Sequence, residues 1–179
     1  MRNVFKWICE SRLLGLIVAM TVVQVSMGCG KKSEAEEPSG PVLEYADQDL
    51  QGVVDTKPWR IQSGVARPSA MKPGQMRLSL SDEIETDPCN SLAFGSREVL
   101  TSVAQSAGES VLGAGDPMQT ATFFIQTTSS SINLIATQGK ITISSVTDQE
   151  VSGRAVIYMD DGNVVNGSFT IPFCPEVVD

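Results

Sequence analysis

The chain has 179 residues, of which 41% are hydrophobic and 19% are charged, and this balance excludes wholesale disorder. Its formal net charge of −8 comes without a basic stripe interleaved with aromatic residues, so nucleic acid is not an expected partner. The sequence contains no histidine, which removes the commonest general base, the histidine-activated nucleophiles and most zinc sites.

Residues 1–28 have the pattern of a bacterial export signal. Met1 to Arg12 is basic, and the apolar run from Leu13 to Val25 has the length of the hydrophobic part of a signal peptide. A membrane-spanning helix needs about 20 apolar residues, so this run is short for a permanent anchor. The run ends in Ser26-Met27-Gly28-Cys29, and a polar stretch follows directly.

Gly28-Cys29 at the end of this run resembles the cleavage site of bacterial lipoproteins. The resemblance implies that a signal peptidase cuts before Cys29, which then carries a diacylglyceryl thioether and an acylated (for example palmitoylated) amine. Several buried acyl chains make such an attachment effectively permanent. Gly30 stands where many enterobacterial lipoproteins carry an inner-membrane retention aspartate, which implies the outer membrane. Two alternatives stay open: Ser26 and Gly28 also fit the cleavage pattern of soluble secreted proteins, and an uncleaved signal would anchor the chain.

Residues 29–41 are predicted to be a disordered tether between the signal and a single domain at 42–179. Lys31 to Pro41 is rich in glutamate and proline and has no apolar residue larger than Ala35, so it cannot offset its ordering entropy. A flexible chain of this length spans roughly 15–20 Å. Removing residues 1–28 takes away three basic residues and one acidic residue, which leaves the mature chain near −10.

Residues 42–179 alternate mostly with period two, which predicts β-strands. The predicted strands are Leu50–Val54, one strand through Trp59, Ile61, Ser63 and Val65, then Met76–Leu80, Thr120–Thr127, Ile132–Ala136, Lys140–Ser145, Val151–Met159 and Val164–Phe173. Glu98–Gln105 fits both a strand and a helical face, and we favour the strand. Arg67–Gly74 and Ser106–Pro117 are predicted to be loops.

Turn signals suggest how these strands connect. Ile132–Ala136 and Lys140–Ser145 are expected to form a hairpin through Gln138-Gly139. Asp160 to Asn163 predicts a second hairpin, with the positive φ that Asp-Gly favours. Pro172 cannot donate a ladder hydrogen bond, so the last strand is expected to lie at an edge or to bulge. Eight or nine short strands in all predict an all-β fold, an antiparallel sandwich or barrel.

The domain resembles small uncharacterised lipoprotein domains of Gram-negative bacteria. The resemblance rests on Gly139–Ile143, Val151–Gly153 and Gly167–Phe169, and on Trp59 near the start and Cys174 near the end. It implies a β fold and brings no known activity.

Two of the four cysteines are predicted to pair. Cys9 lies in the signal and Cys29 is the lipid attachment site, so Cys89 and Cys174 remain in an oxidising compartment. We predict a Cys89–Cys174 disulfide, with two separate buried thiols as the alternative. The pair lacks a CxxC spacing and histidine partners, so neither redox chemistry nor metal binding is expected of it.

Four other features resemble functional sites. Ser69-Ala70-Met71-Lys72 matches the S-x-x-K of penicillin-binding enzymes, but Pro73-Gly74 stops the helix that the motif needs. Asp47 to Gly52 begins like a calcium loop, but Pro58 replaces its bidentate glutamate. A hard cation could bind the loop carboxylates of Asp82, Glu83, Glu85 and Asp87. We favour the alternative that this acidic loop is simply solvated. Trp59 is either a core residue, which we favour, or an exposed stacking platform.

No nucleophile–base pair or metal-ligand cluster stands out in the sequence, so we expect no enzyme, cofactor or metal. The favoured hypothesis is a lipid-anchored outer-membrane lipoprotein on the periplasmic or surface side, acting as an interaction or structural module. Its partners would be the membrane, through the covalent lipid, and an envelope protein. The alternative is a ligand-binding β-barrel that carries a small apolar or sugar ligand.

Overall fold

A computed structural model describes residues 43–91, 95–113, 119–136 and 138–175. The predicted signal, Cys29 and the predicted tether lie outside the described residues. Eleven β-strands, and no helix, make up the regular structure of the described part. In chain order they are β1 Gln51–Val54, β2 Lys57–Arg60, β3 Ser63–Pro68, β4 Gln75–Ser81, β5 Arg97–Ala104, β6 Gly108–Leu112, β7 Ala121–Gln126, β8 Ser131–Ala136, β9 Gln138–Val146, β10 Glu150–Asp160 and β11 Asn163–Pro172.

The strands form two antiparallel sheets that share one core. The six-stranded sheet has the order β2-β1-β11-β10-β9-β6, and the five-stranded sheet has the order β3-β4-β5-β7-β8. One hydrophobic cluster contains residues from both sheets, so the architecture is a sandwich. The predicted all-β antiparallel fold is therefore confirmed, with eleven strands where the sequence suggested eight or nine.

Large apolar side chains fill the space between the sheets. Along β4, for example, Met76, Leu78 and Leu80 point inward and are fully buried, while Arg77 points outward. The other large, fully buried side chains of this core are Leu50, Val54, Val99, Val103, Phe123, Ile141, Val151 and Ile157. Burying each of these stabilises the fold by about 1.5–3 kcal/mol relative to exposure, which explains why alternation persists along the strands.

The single strand predicted through Trp59 and Val65 is wrong, because the chain changes sheets within it. β2 belongs to the six-stranded sheet and β3 to the five-stranded sheet. The N–H of Ile61 donates to the carbonyl of Leu50 at 3.0 Å, and the next N–H, of Gln62, donates to Ser81 at 2.8 Å. Two successive residues thus bond to opposite sheets, and the phase of burial changes there. Trp59 and Ile61 pack in the shared core, whereas in β3 the core residue is Ala66 and Val65 lies outside that core.

The hairpin predicted between Ile132–Ala136 and Lys140–Ser145 is also wrong. Both segments are strands, but β8 pairs with β7 in one sheet and β9 pairs with β6 and β10 in the other. Period-two alternation identifies which side of a strand is buried, and it carries no information about which sheet the strand joins.

The loop predicted at Ser106–Pro117 contains β6, which pairs with β9. Only Leu112 of β6 is buried, so the sequence alternation that marks the other strands is missing here. The ladder with β9 overrides the weak local preference of a glycine-containing segment.

The favoured strand at Glu98–Gln105 is confirmed as β5. The loop predicted from Arg67 begins later, because β3 continues to Pro68.

The turn after β10 was predicted correctly, but not its backbone geometry. Asp160 pairs with Asn163, which confirms the hairpin. In the described part of the chain, the non-glycine residues with positive φ are instead Asp55 and Thr56, in the turn between β1 and β2. β11 is an interior strand, so the predicted edge position is wrong. At Pro172 the strand is paired only with β10, because β1 reaches no further than Asn166.

Candidate functional site

A disulfide fastens the acidic loop 82–91 to the end of the domain. Cys89 of the loop and Cys174, which follows β11, are bonded, with their Cα atoms 5.5 Å apart. Val65 of β3 is buried against both cysteines on the outer side of the five-stranded sheet. The N–H of Cys174 donates to the carbonyl of Ala66 at 2.8 Å, which joins the chain end to β3. The predicted disulfide is confirmed.

Arg67 holds the same loop by hydrogen bonds. Its Nη2 donates to three loop carbonyls, those of Pro88 at 2.7 Å, Cys89 at 3.1 Å and Ser91 at 2.8 Å. Burial lowers the pKa of Arg67, and the nearby charge of Arg77 lowers it further. Sequence reasoning missed this residue, because nothing local at the end of β3 signals a contact with a loop more than twenty residues away.

The carboxylates at the start of the loop have separate protein partners. Asp82 pairs with Arg97, which also donates to the carbonyl of Pro58 at 3.1 Å. Burial raises the pKa of Asp82, and the Arg97 guanidinium opposes that rise. Glu83 accepts hydrogen bonds from the Ser96 N–H at 2.9 Å and the Ser96 Oγ at 2.7 Å, and these bonds lower the pKa of Glu83.

The other two loop carboxylates form local turns. Glu85 accepts from the Asp87 N–H at 3.2 Å, and Asp87 accepts from the Asn90 side-chain amide at 2.7 Å. Within the described ranges, no group of three or more acidic, cysteine or histidine side chains is placed to hold a metal ion. The structure therefore distributes these four carboxylates over protein donors and does not bring them to one point.

Trp59 is a core residue, as favoured, and the stacking-platform alternative is wrong. The side chain is 2% exposed, and its Nε1 donates to the carbonyl of Arg97 at 3.2 Å. This bond crosses from β2 to β5, so Trp59 ties the edge of one sheet to the other.

The remaining sequence motifs occupy structural positions. In the S-x-x-K segment, the Ser69 Oγ accepts from the backbone N–H of Lys72 at 3.1 Å, which is a tight turn and not a helix. In the calcium-like segment, Asp47 pairs with Arg154 and Asp49 pairs with Arg60. These contacts give the candidate side chains partners other than a substrate or an ion.

An open cleft of about 500 Å³ lies between β3 and β11, beside the disulfide-bonded loop. Ile61, Phe169 and Ile171 supply its apolar lining, and Asp49 and Glu85 supply carboxylates.

The hydroxyl groups around this cleft are engaged in holding the fold. The Ser63 Oγ donates to the carbonyl of Glu83 at 2.6 Å, and the Ser168 Oγ donates to the carbonyl of Gln48 at 3.0 Å. This arrangement offers a surface for contact, and neither hydroxyl is paired with a base that would activate it as a nucleophile.

The outer edge of β8 is a second exposed feature. β8 is the last strand of the five-stranded sheet. Ile132 and Ile135, both on β8, are 43% and 56% exposed. We call the side of β8 that faces away from β7 the β8 edge.

No family model, no curated protein and no solved structure matches the chain. Among the described residues, no helix is long and apolar enough to cross a membrane.

Proposed function

We propose that the protein is a lipid-anchored, non-enzymatic module of the cell envelope that acts through its surface. The lipid would be carried by Cys29, and the domain would be held outside the cytoplasm on the outer membrane. The observation that carries the proposal is the Cys89–Cys174 disulfide, because stable disulfides belong to oxidising compartments. This observation supports export independently of the pattern in residues 1–28.

A surface role is supported by the packed interior. Phe123, Met76 and Ile157 lie between the sheets, where a ligand-carrying barrel would need a chamber. The cleft beside the loop is open, with an apolar lining and two carboxylates.

The decisive experiment measures lipid on Cys29. Cells producing the full chain are given a labelled fatty acid, and label is measured on the purified protein. Cys29→Ser should lose the label, and Cys9→Ser is the matched control, because Cys9 lies in the predicted signal and should leave labelling intact.

Fractionation of the same cells tests the location. The wild-type protein and the Cys9→Ser variant should sediment with the outer membrane, and Cys29→Ser should leave that fraction. Wild-type protein that takes up no label, or a Cys29→Ser variant that stays in the outer membrane, would overturn the proposal. A small molecule that copurifies with the wild-type protein would favour the ligand-binding alternative, with the open cleft as its site.

A further inference from the structure

The four outermost strands of the two sheets differ in how they are protected against pairing with another strand. Natural sheets protect their edges with charges, prolines and bulges. β2 carries Lys57 and Pro58, β3 carries Arg67 and Pro68, and β6 carries Glu109. β8 has the sequence SINLIA, without a charge, proline or glycine.

The hydrogen-bond phase of β7 fixes which β8 residues face outward. The Gln126 N–H donates to the carbonyl of Ser96 at 2.7 Å, whereas the Thr127 N–H donates to Ser130 at 2.8 Å. Since successive residues of a strand bond to opposite sides, the bonds between β7 and β8 join Ile125 to Ile132 and Phe123 to Leu134.

The backbone groups of three β8 residues therefore face away from β7. These residues are Ser131, Asn133 and Ile135, each with one N–H and one C=O. In the described part of the chain, no backbone or side-chain group from outside β7 bonds to them.

We propose that the β8 edge pairs with the β8 edge of a second copy of this chain, antiparallel and about a two-fold axis at Asn133. This register opposes Asn133 to Asn133 and Ser131 to Ile135, so all six outward-facing groups on each strand find partners. It also packs the half-exposed Ile132 against Leu134 of the second copy, on the core-facing side of the joined sheet. The proposal deepens the proposed role as an interaction module and rests on it, because a shared membrane would concentrate the copies.

Charge favours a second copy at this edge. The mature chain is strongly acidic, so most approaches between two copies bring like charges together. From Pro117 to Gly139 the sequence has no charged residue, and β8 lies within this stretch. A two-fold contact at β8 places one uncharged segment against the other, which no other sheet edge allows among the described strands.

The first test is the molar mass of the full-length protein in a mild detergent, with micelles in large excess over chains so that two chains rarely share a micelle by chance. Asn133→Pro removes an N–H that faces away from β7, so the ladder inside the domain stays intact. It should weaken the dimer about tenfold or more, since two hydrogen bonds at the axis are lost. Asn133→Thr is the matched control, because it keeps the N–H and favours strands, and it should remain dimeric. Asn133→Lys opposes two like charges and should also weaken the dimer while leaving the fold intact.

The second test is cross-linking in the intact envelope. Two hydrogen-bonded residues opposite each other lie about 5.5 Å apart, which a disulfide can span, so Asn133→Cys should form a covalent dimer under mild oxidation. Asp47→Cys is the control for random collisions, because Asp47 is fully exposed and pairs with Arg154 of β10, which belongs to the other sheet.

Each outcome bears on the proposal. A monomeric wild-type protein, or an Asn133→Pro dimer as stable as the wild type, would overturn it. Equal cross-linking of the Asn133→Cys and Asp47→Cys variants would overturn the register. The molar-mass measurement does not depend on lipid, so a failure of the Cys29 experiment is recognised separately.

Discussion

Removing the Cys89–Cys174 disulfide should destabilise the domain by about 4–5 kcal/mol. The two cysteines are separated by 85 positions. The chain-entropy relation for a loop of that size gives about 4.6 kcal/mol at 25 °C, because the broken bond frees the unfolded chain. A domain of this kind is stable by roughly 5–15 kcal/mol, so the loss is a third of the total or more.

The measurement is urea unfolding of the Cys89→Ala/Cys174→Ala double variant against the oxidised wild-type protein, followed by Trp59 fluorescence. With a slope of about 2 kcal/mol per molar urea, the midpoint should fall by about 2 M. Reduction of the wild-type protein should reproduce most of that shift, which controls for the loss of the sulfur atoms. A double variant within about 0.5 M of the wild type would refute the entropy argument, since the loop closed by the bond would then gain little freedom on unfolding.

Three further predictions concern side chains that the same unfolding assay can test. Arg67→Met should cost about 2 kcal/mol, because it removes the Nη2 group that donates to three loop carbonyls; an unchanged midpoint would contradict this role. Trp59→Phe, followed by circular dichroism, should cost about 1–3 kcal/mol, because the carbonyl of Arg97 loses its indole donor; a value near zero would mean that water replaces it. The lowered pKa of Glu83 stabilises the fold above its ordinary pKa of 4.5, and this contribution is lost as pH falls through the native pKa. Wild-type protein should therefore lose more stability than Glu83→Gln between about pH 5 and 3, and parallel losses would exclude the Ser96 bonds as the cause.

The sequence predicted most of the strands, because burial on one side imposes alternation. Met76–Leu80, Thr120–Thr127 and Val151–Met159 each contain inward-facing apolar residues at every second position, and each forms a strand. β6 was missed, because only Leu112 is buried and the sequence there carries no period. The pattern of burial, not intrinsic preference, is what makes a strand visible in a sequence.

The assignment of strands to sheets could not be read from the sequence. Ile61 and Gln62 send their N–H groups to different sheets, yet the sequence from Trp59 to Val65 alternates as a single strand would. The same is true between β8 and β9, where two good strands with a glycine between them were read as a hairpin. Alternation reports the local environment of a side chain, whereas sheet membership depends on backbone partners far away along the chain.

Some contacts around the acidic loop could also be predicted from the sequence, and others could not. The pairing of Cys89 with Cys174 was predictable, because the expected signal and lipid site account for the other two cysteines. Arg67 was not, since its three acceptors are backbone carbonyls, which every residue possesses and no sequence pattern marks. Side chains that bind backbone groups are therefore the part of such a site that only coordinates reveal.

The stabilising disulfide and the proposed association surface lie at opposite edges of the five-stranded sheet. β3, against which the disulfide packs, is the first strand, and β8 is the last, with β4, β5 and β7 between them. Changes that share no contacts over such a distance usually add. Combining Asn133→Pro with the double cysteine variant should thus change stability by the sum of the separate effects, and the folded double cysteine variant should still form dimers. A dimer that vanishes with the disulfide, in protein that remains folded, would place the association surface at the loop and not at β8.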